Sequence, residues 1–354
     1  MNFASDNVTG IAPDIMAALL AANEGTAMPY GDDEISQRLT THFSELFETE
    51  VTVFPVATGT AANSLALSVM TPVYGAIYCH AAAHIHVDEC GAPEFYTGGA
   101  KLVTLPGANG KLAAADLAAV LQNAPRGDVH SVQPAAISLT QATEAGTVYS
   151  VDEVRAIAQL AHHYNMHLHM DGARFANAVV SLGCSPADIT WRAGVDVLAF
   201  GATKNGAMAA EAVVFFNPTL STAFAYRRKR SGHLFSKMRF LSVQLEAYIT
   251  NDLWLTNAAH ANRMATLMAE GLANIPGIKL VHPIEANEIF VEFPDAIAQG
   301  LLAEGFQFYH QTTREGAIAT RLVTAFNTSE DMVSGFIEAV RRYANLPLTN
   351  TTAS

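Results

Sequence analysis

Three short motifs in this chain carry side chains suited to covalent and electrostatic catalysis. Lys204 sits in Gly201-Ala202-Thr203-Lys204-Asn205-Gly206-Ala207, where small neighbours leave an ε-amino group room to reach a carbonyl and condense with it. Asp171 ends the run His167-Leu168-His169-Met170 and is followed by Gly172-Ala173-Arg174, so its carboxylate is placed to hold a proton on a ring nitrogen. Thr58-Gly59-Thr60 lies between an apolar run and a helical pattern from Ala61 to Met70. Free backbone N–H groups and two hydroxyls at the positive end of a helix suit an anion such as phosphate. Each motif taken alone has a plainer account: a solvated loop lysine, a helix cap for the segment from Ala173, and an ordinary strand-to-helix turn.

The elements that must position these groups can be read from the hydrophobic pattern. Short apolar runs at Val51–Val56, Ala76–His80, Leu102–Leu105, Ala135–Leu139, Met166–Met170, Val195–Phe200 and Ala212–Phe216 alternate with helical patterns. Such alternation predicts crossover connections and a largely parallel, buried sheet. In sheets of this kind ligands sit beyond the carboxyl ends of the strands, and the three motifs follow the first, fifth and sixth runs. A basic stretch from Tyr226 to Arg239 leads into an apolar helix, Phe240 to Tyr248, after which helix and strand patterns recur on a smaller scale. The expected division is an N-terminal arm (1–30), a large domain (31–250) and a smaller C-terminal α/β domain (251–354).

Bulk composition narrows the class. A chain of 354 residues is long enough for about two domains at roughly 150 residues each. Half of it is hydrophobic and only 15% is charged, which excludes general disorder. The formal charge of −13 repels nucleic-acid backbones and anionic membrane surfaces, so neither is an expected partner. An anionic ligand must then be held by local cations and N–H groups. Cys79, Cys90 and Cys184 are an odd number without CxxC spacing, so neither a disulfide framework nor a zinc site is suggested, and a reducing cytoplasm fits. No charged leader with an apolar run opens the sequence, and no stretch approaches the roughly 20 apolar residues of a membrane span. The polar tail after Asn345 reads as a frayed end, and no internal repeat is found.

An amine, an acid and an anion-binding turn at neighbouring strand ends are what pyridoxal 5′-phosphate asks of a protein, together with a flat group against its ring. His84 is the candidate for the flat group. The clusters His80, His84, His86 and His162, His163, His167, His169 lack a completing Cys or carboxylate, so no metal is expected.

Taken together, Ser5-Asp6-Asn7-Val8-Thr9, Tyr30-Gly31-Asp32-Asp33, Thr58-Gly59-Thr60-Ala61-Ala62-Asn63, Ala82-Ala83-His84, Asp171-Gly172-Ala173-Arg174 and Arg321-Leu322-Val323-Thr324 resemble the L-threonine aldolase family. They occur in the family's order, from about residue 3 to 345. The resemblance implies the aspartate-aminotransferase-like fold of pyridoxal-phosphate enzymes (fold type I), assembled as a homotetramer with shared active sites. It makes Lys204 the Schiff-base lysine, Asp171 the pyridine-nitrogen partner, His84 the stacked histidine, and Gly59 and Thr60 the phosphate turn. Ser5, Arg174 and Arg321 match groups that hold the substrate carboxylate, where a guanidinium's planar fork is apt. Tyr30 joins them as a substrate-binding candidate. His130 resembles a second active-site histidine, and Arg239 is the nearest match to an arginine that reaches a neighbouring subunit's phosphate.

Two departures bear on local geometry: Thr203-Lys204-Asn205-Gly206-Ala207 replaces a Ser-Lys-Gly-Leu-Gly form, and the basic stretch is longer. With Ser231-Gly232-His233-Leu234-Phe235-Ser236, the chain is similar to the low-specificity or phenylserine-type branch. The implied reaction is retro-aldol cleavage of L-threonine or L-allo-threonine, with L-phenylserine a further candidate, to glycine and an aldehyde. A β-eliminating lyase or an aminotransferase of the same fold would use the same lysine, aspartate and phosphate turn. The base stays open among His84, His130 and an ordered water.

Overall fold

All seven apolar runs become strands: β1 (Thr52–Val56), β2 (Gly75–His80), β3 (Lys101–Leu105), β4 (Gln133–Thr140), β5 (His167–Gly172), β6 (Val197–Gly201) and β7 (Glu211–Phe215). The computed structural model describes residues 1–312 and 318–345. These strands form one sheet in the order β1-β7-β6-β5-β4-β2-β3. Strands β2 to β6 pair in parallel, and β7 runs antiparallel to both β1 and β6. The mostly parallel sheet is the expected one. Its antiparallel member follows from the short span between β6 and β7, too short for the dozen or more residues of a parallel crossover.

Between and around the strands run α1 (Pro13–Ala22), α2 (Glu34–Leu46), α3 (Gly59–Met70), α4 (His84–Val87), α5 (Ala92–Thr97), α6 (Ala114–Gln122), α7 (Val151–His163), α8 (Phe175–Leu182), α9 (Pro218–Arg230) and α10 (Arg239–Ile249). Both faces of the sheet are covered. Val197 and Val213 turn towards a core built on α3, while their neighbours Leu198 and Val214 turn towards the larger core on the opposite face. That is the two-residue alternation of extended chain, and it explains why the strands read as unbroken apolar runs. Local signals set the helix starts. Thr58 accepts the N–H of Ala61 at the head of α3. Ser150 and Glu153 form a reciprocal capping box on α7, each satisfying a donor the helix leaves free.

The rest of the described chain builds a smaller domain. Helix α11 (Leu253–Ala273) leads to β8 (Lys279–Leu280), β9 (Glu288–Glu292), α12 (Asp295–Ala303), β10 (Tyr309–Thr312), β11 (Ile318–Val323) and α13 (Glu330–Ala344). Its sheet is antiparallel, in the order β10-β11-β9-β8. The two cores divide within α11: Trp254 and Ala258 pack with the larger, Met264 and Met268 with the smaller. The chain's start also joins the smaller core, through Phe3 against Phe336 and the bond from the Phe3 N–H to the Gln307 carbonyl at 2.7 Å. Among the described residues no helix is long and apolar enough to cross a membrane.

Candidate active site

Five strand ends and the start of a sixth strand converge on one cleft of about 390 Å³. Thr58, Gly59 and Thr60 come from beyond β1, His84 from beyond β2, and Thr140 and Glu144 from the end of β4 and the loop after it. Asp171 comes from β5 and Arg174 from just beyond it, Thr203 and Lys204 from the turn after β6, and Glu211 from the start of β7. Asn7 closes the cleft from the N-terminal arm. Because β7 is antiparallel, its first residue lies where its neighbours end, and Glu211 pairs in register with Gly201 and Val56.

Asp171 is 4% exposed. One of its oxygens accepts from the Asn63 side-chain amide at 2.8 Å and the other from the Ala173 N–H at 3.1 Å. The same Asn63 amide nitrogen donates to Glu89 at 2.9 Å, and Glu89 is bonded to His84 Nδ1 at 2.8 Å. A continuous chain of hydrogen bonds thus links the imidazole to the aspartate. The bond from Glu89 raises the His84 pKa above its ordinary value, against the effect of burial. Ligand atoms of His84, Glu89 and Asp171 all lie within 4.8 Å of one another, yet they are already tied together by this network.

Arg174, its side chain 10% exposed, lies between two buried acids, 2.8 Å from Asp6 and 2.9 Å from Glu288. Burial works against its charge, and the two carboxylates more than offset that. Glu144 accepts the backbone N–H of His84 and the hydroxyl of Thr140 with one oxygen, both at 2.7 Å. Its other oxygen is buried without a partner among the described residues, and burial pushes its pKa up to about 7. Glu211 accepts the Ala202 N–H at 2.9 Å and is likewise pushed up to about 7 by burial.

Of the residues singled out from sequence, Lys204, Asp171, His84, Gly59, Thr60 and Arg174 line this cleft together. Ser5 instead caps a short turn, accepting the Asn7 N–H at 3.1 Å. Arg321, on β11, donates to the Ala4 carbonyl at 3.0 Å, and its guanidinium lies 4.9 Å from the Tyr309 ring. Tyr30 lies under the Lys229 ammonium at 4.7 Å, beside the basic segment. Arg239 opens α10 with its guanidinium 4.9 Å from the Phe240 ring. His130 is not brought to the cleft of its own chain. It is exposed on the turn before β4, and at about 3.3 Å per residue that eight-residue strand carries the chain roughly 26 Å to the cleft edge.

Sequence reasoning missed three acids. Glu144 follows the fourth apolar run, so the strand-end rule that selected Asp171 and Lys204 would have reached it. Glu211 precedes its run and becomes legible only once β7 is known to be antiparallel. Nothing in the spacing marks Glu89.

Comparison with known proteins agrees with this arrangement. A model of the beta-eliminating lyase family matches residues 2–296. A low specificity L-threonine aldolase of Pseudomonas aeruginosa is 44% identical over 339 residues, covering 96% of each chain. A threonine aldolase structure from Leishmania major superposes with a TM-score of 0.90 at 30% identity, over 97% of this chain and 99% of that one. A serine palmitoyltransferase of Sphingomonas wittichii shares the fold alone, with a TM-score of 0.74 at 15% identity over 97% of this chain and 86% of the other. The chain therefore belongs to the beta-eliminating lyase family and, within it, to the L-threonine aldolases.

Proposed function

We propose that the cleft is the active site of a pyridoxal-phosphate-dependent lyase that cleaves L-threonine and L-allo-threonine, with L-phenylserine a further candidate substrate, into glycine and an aldehyde. The observation that carries this reading is the placement of Lys204, Asp171 and the Thr58-Gly59-Thr60 turn around one cavity. The cofactor fits on the chain's own terms. Asp171 is a buried carboxylate with two neutral donors, and a ring N–H would give it a cationic one. At the phosphate turn, a Cβ added to Gly59 would meet nothing within 4 Å, so the head of α3 is open to an anion.

When bound, pyridoxal phosphate supplies an electron-poor ring that accepts the bonding pair released at the substrate's Cα. Lys204, which lines the cleft, would hold the cofactor through its carbonyl carbon. Asp171 would keep the ring nitrogen protonated, and His84 would supply the flat group against the ring. Arg174 turns its fork to the substrate's carboxylate, with Arg321 and Ser5 supporting from the small domain and the arm. Tyr30, Arg239 and His130 lie outside the cleft of their own chain. Their roles belong to a homotetramer with shared sites, in which a neighbouring copy completes the pocket. The division into an arm (1–30), a large domain (31–250) and a small one (251–354) and a cytoplasmic setting complete this reading, the latter supported by three unpaired cysteines.

The deciding experiment is product analysis. Purified protein with added pyridoxal phosphate should turn yellow and release acetaldehyde and glycine from L-threonine, and benzaldehyde from L-phenylserine if that substrate fits. The family's description names β-elimination, which would give ammonia and a keto acid instead. Dependence on an added keto acid would mark an aminotransferase. Either result overturns the aldolase reading.

A further inference from the structure

The reading above leaves the acceptor of the substrate's hydroxyl proton unassigned. Resting on that reading, we propose that the unpaired carboxylate oxygen of Glu144 accepts the proton of the substrate's β-hydroxyl as the Cα–Cβ bond breaks.

The geometry favours Glu144 over its rivals. It stands just beyond β4, at the same sheet edge as Asp171 and Lys204, and lines their cleft. Oε1 is held by the His84 N–H and the Thr140 hydroxyl, while Oε2 is buried with no partner among the described residues. Native chains seldom leave a buried polar atom unsatisfied, and because Glu144 lines the cleft a ligand's donor would account for this one. The loop that carries it is braced. The Thr143 N–H bonds the Thr147 carbonyl at 2.9 Å, and Glu285 of the small domain accepts the Val148 N–H at 2.7 Å.

His84, by contrast, commits Nδ1 to Glu89 and is drawn toward its protonated form, which weakens it as a base. His130 lies at the opposite sheet edge. Glu211 is engaged by the backbone of the lysine turn and feels the Lys204 charge. A value pushed up to about 7 by burial also suits Glu144, because a base works best when its pKa is near the working pH.

The step balances. The O–H bond breaks and its electron pair becomes the second bond of the aldehyde carbonyl. The Cα–Cβ pair stays with the glycine half, and the proton on Glu144 then returns to that Cα as glycine forms.

The test compares Glu144→Gln with Glu211→Gln in the holoenzyme. Glutamine keeps an oxygen for the His84 N–H and the Thr140 hydroxyl, so fold and pocket shape should survive. Aldehyde release from L-threonine by E144Q should fall by about 10²-fold or more. Its glycine affinity, measured by calorimetry, and its thermal midpoint should stay at the wild-type values. Equal loss of rate and glycine affinity would make Glu144 a structural support and overturn the proposal. So would an E144Q that turns over like an active wild type, or a loss confined to E211Q. A wild-type protein that releases no aldehyde would overturn the aldolase reading, and the proposal with it.

Discussion

At the scale of single residues, the site depends on carboxylates whose surroundings give them different work. Asp171 is buried, hydrogen-bonded on both oxygens, and paired with no cation among the described residues. Its charge is therefore available to a protonated ring nitrogen, and catalysis depends on that charge being fixed in place before the bond breaks. Asp171→Ala should lower kcat by roughly 10²–10³-fold or more, the range for losing one pre-positioned electrostatic partner, and should change KM far less. Separate measurement of the two constants checks this; a loss confined to KM would move Asp171 to substrate binding. Glu89 acts on the neighbouring group. Its hydrogen bond is the largest influence raising the His84 pKa above 6.5. Glu89→Gln replaces a charged acceptor by a neutral one, so the His84 titration followed by NMR should shift downward and leave the ring more neutral at pH 7. An unmoved midpoint would mean that Asp171, not Glu89, sets the imidazole's state.

At the scale of elements, catalytic geometry is a matter of how closely β5 and β6 approach at their carboxyl ends. A Cβ on Gly201 would lie 2.6 Å from the Ala173 carbonyl oxygen and 2.7 Å from its Cα. Both are backbone atoms that cannot swing aside, so the glycine is required by close packing of two strand ends. Gly201→Ala should push the turn holding Lys204 away from the segment holding Asp171 and Arg174. Cofactor uptake, read from the visible chromophore, should fail at temperatures where far-UV circular dichroism still shows a folded chain. Retained uptake would mean that the strand ends have slack. The pattern that makes these strands is also why the large sheet was legible in the sequence. Residues such as Val197–Phe200 are buried on both faces, so the run is unbroken and the chemistry stands just after it. The direction of β7 was missed, since an apolar run carries no sign of which way it points and the one cue was the short connection after β6. Glu211 was hidden for that reason, and Glu89 because its partner is a histidine brought near by a turn rather than by a period. Arg239 and Tyr30 could be nominated only by resemblance, and in the single chain Arg239 ends the basic segment and Tyr30 lies against it, neither lining the cleft.

At the scale of the whole molecule, one guanidinium ties three parts of the chain together. Arg174 extends from the large sheet and grips Asp6 of the arm and Glu288 of the small domain, while Asn287 adds a donor to Asp6 at 3.1 Å. The two acids respond differently. Burial alone would raise both, but at Asp6 the charges of Arg174 and Lys204 prevail and its pKa falls below 3.8. At Glu288 burial prevails and the pKa rises above 4.5. The difference matches their contacts, since Asp6 has the more complete set of donors. Arg174→Met keeps the apolar bulk but leaves two buried carboxylates without their cation, a change that costs about 3–5 kcal/mol when a buried pair loses one partner. The sign with pH follows from linkage. In the wild type, the stability gained from the depressed Asp6 is fully present above 3.8 and drains as pH falls through the folded value. In the variant both acids lose the cation and burial raises them, so the folded form gains relative stability as pH falls through those raised values towards 4.5 and 3.8. Both changes narrow the gap between the two proteins in acid. Thermal midpoints measured from pH 7 to pH 3.5 should therefore converge. A gap that stayed constant would show that Arg174 supports the junction by packing and not by charge, and substrate carboxylate could then displace Asp6 and Glu288 from it without loosening the arm.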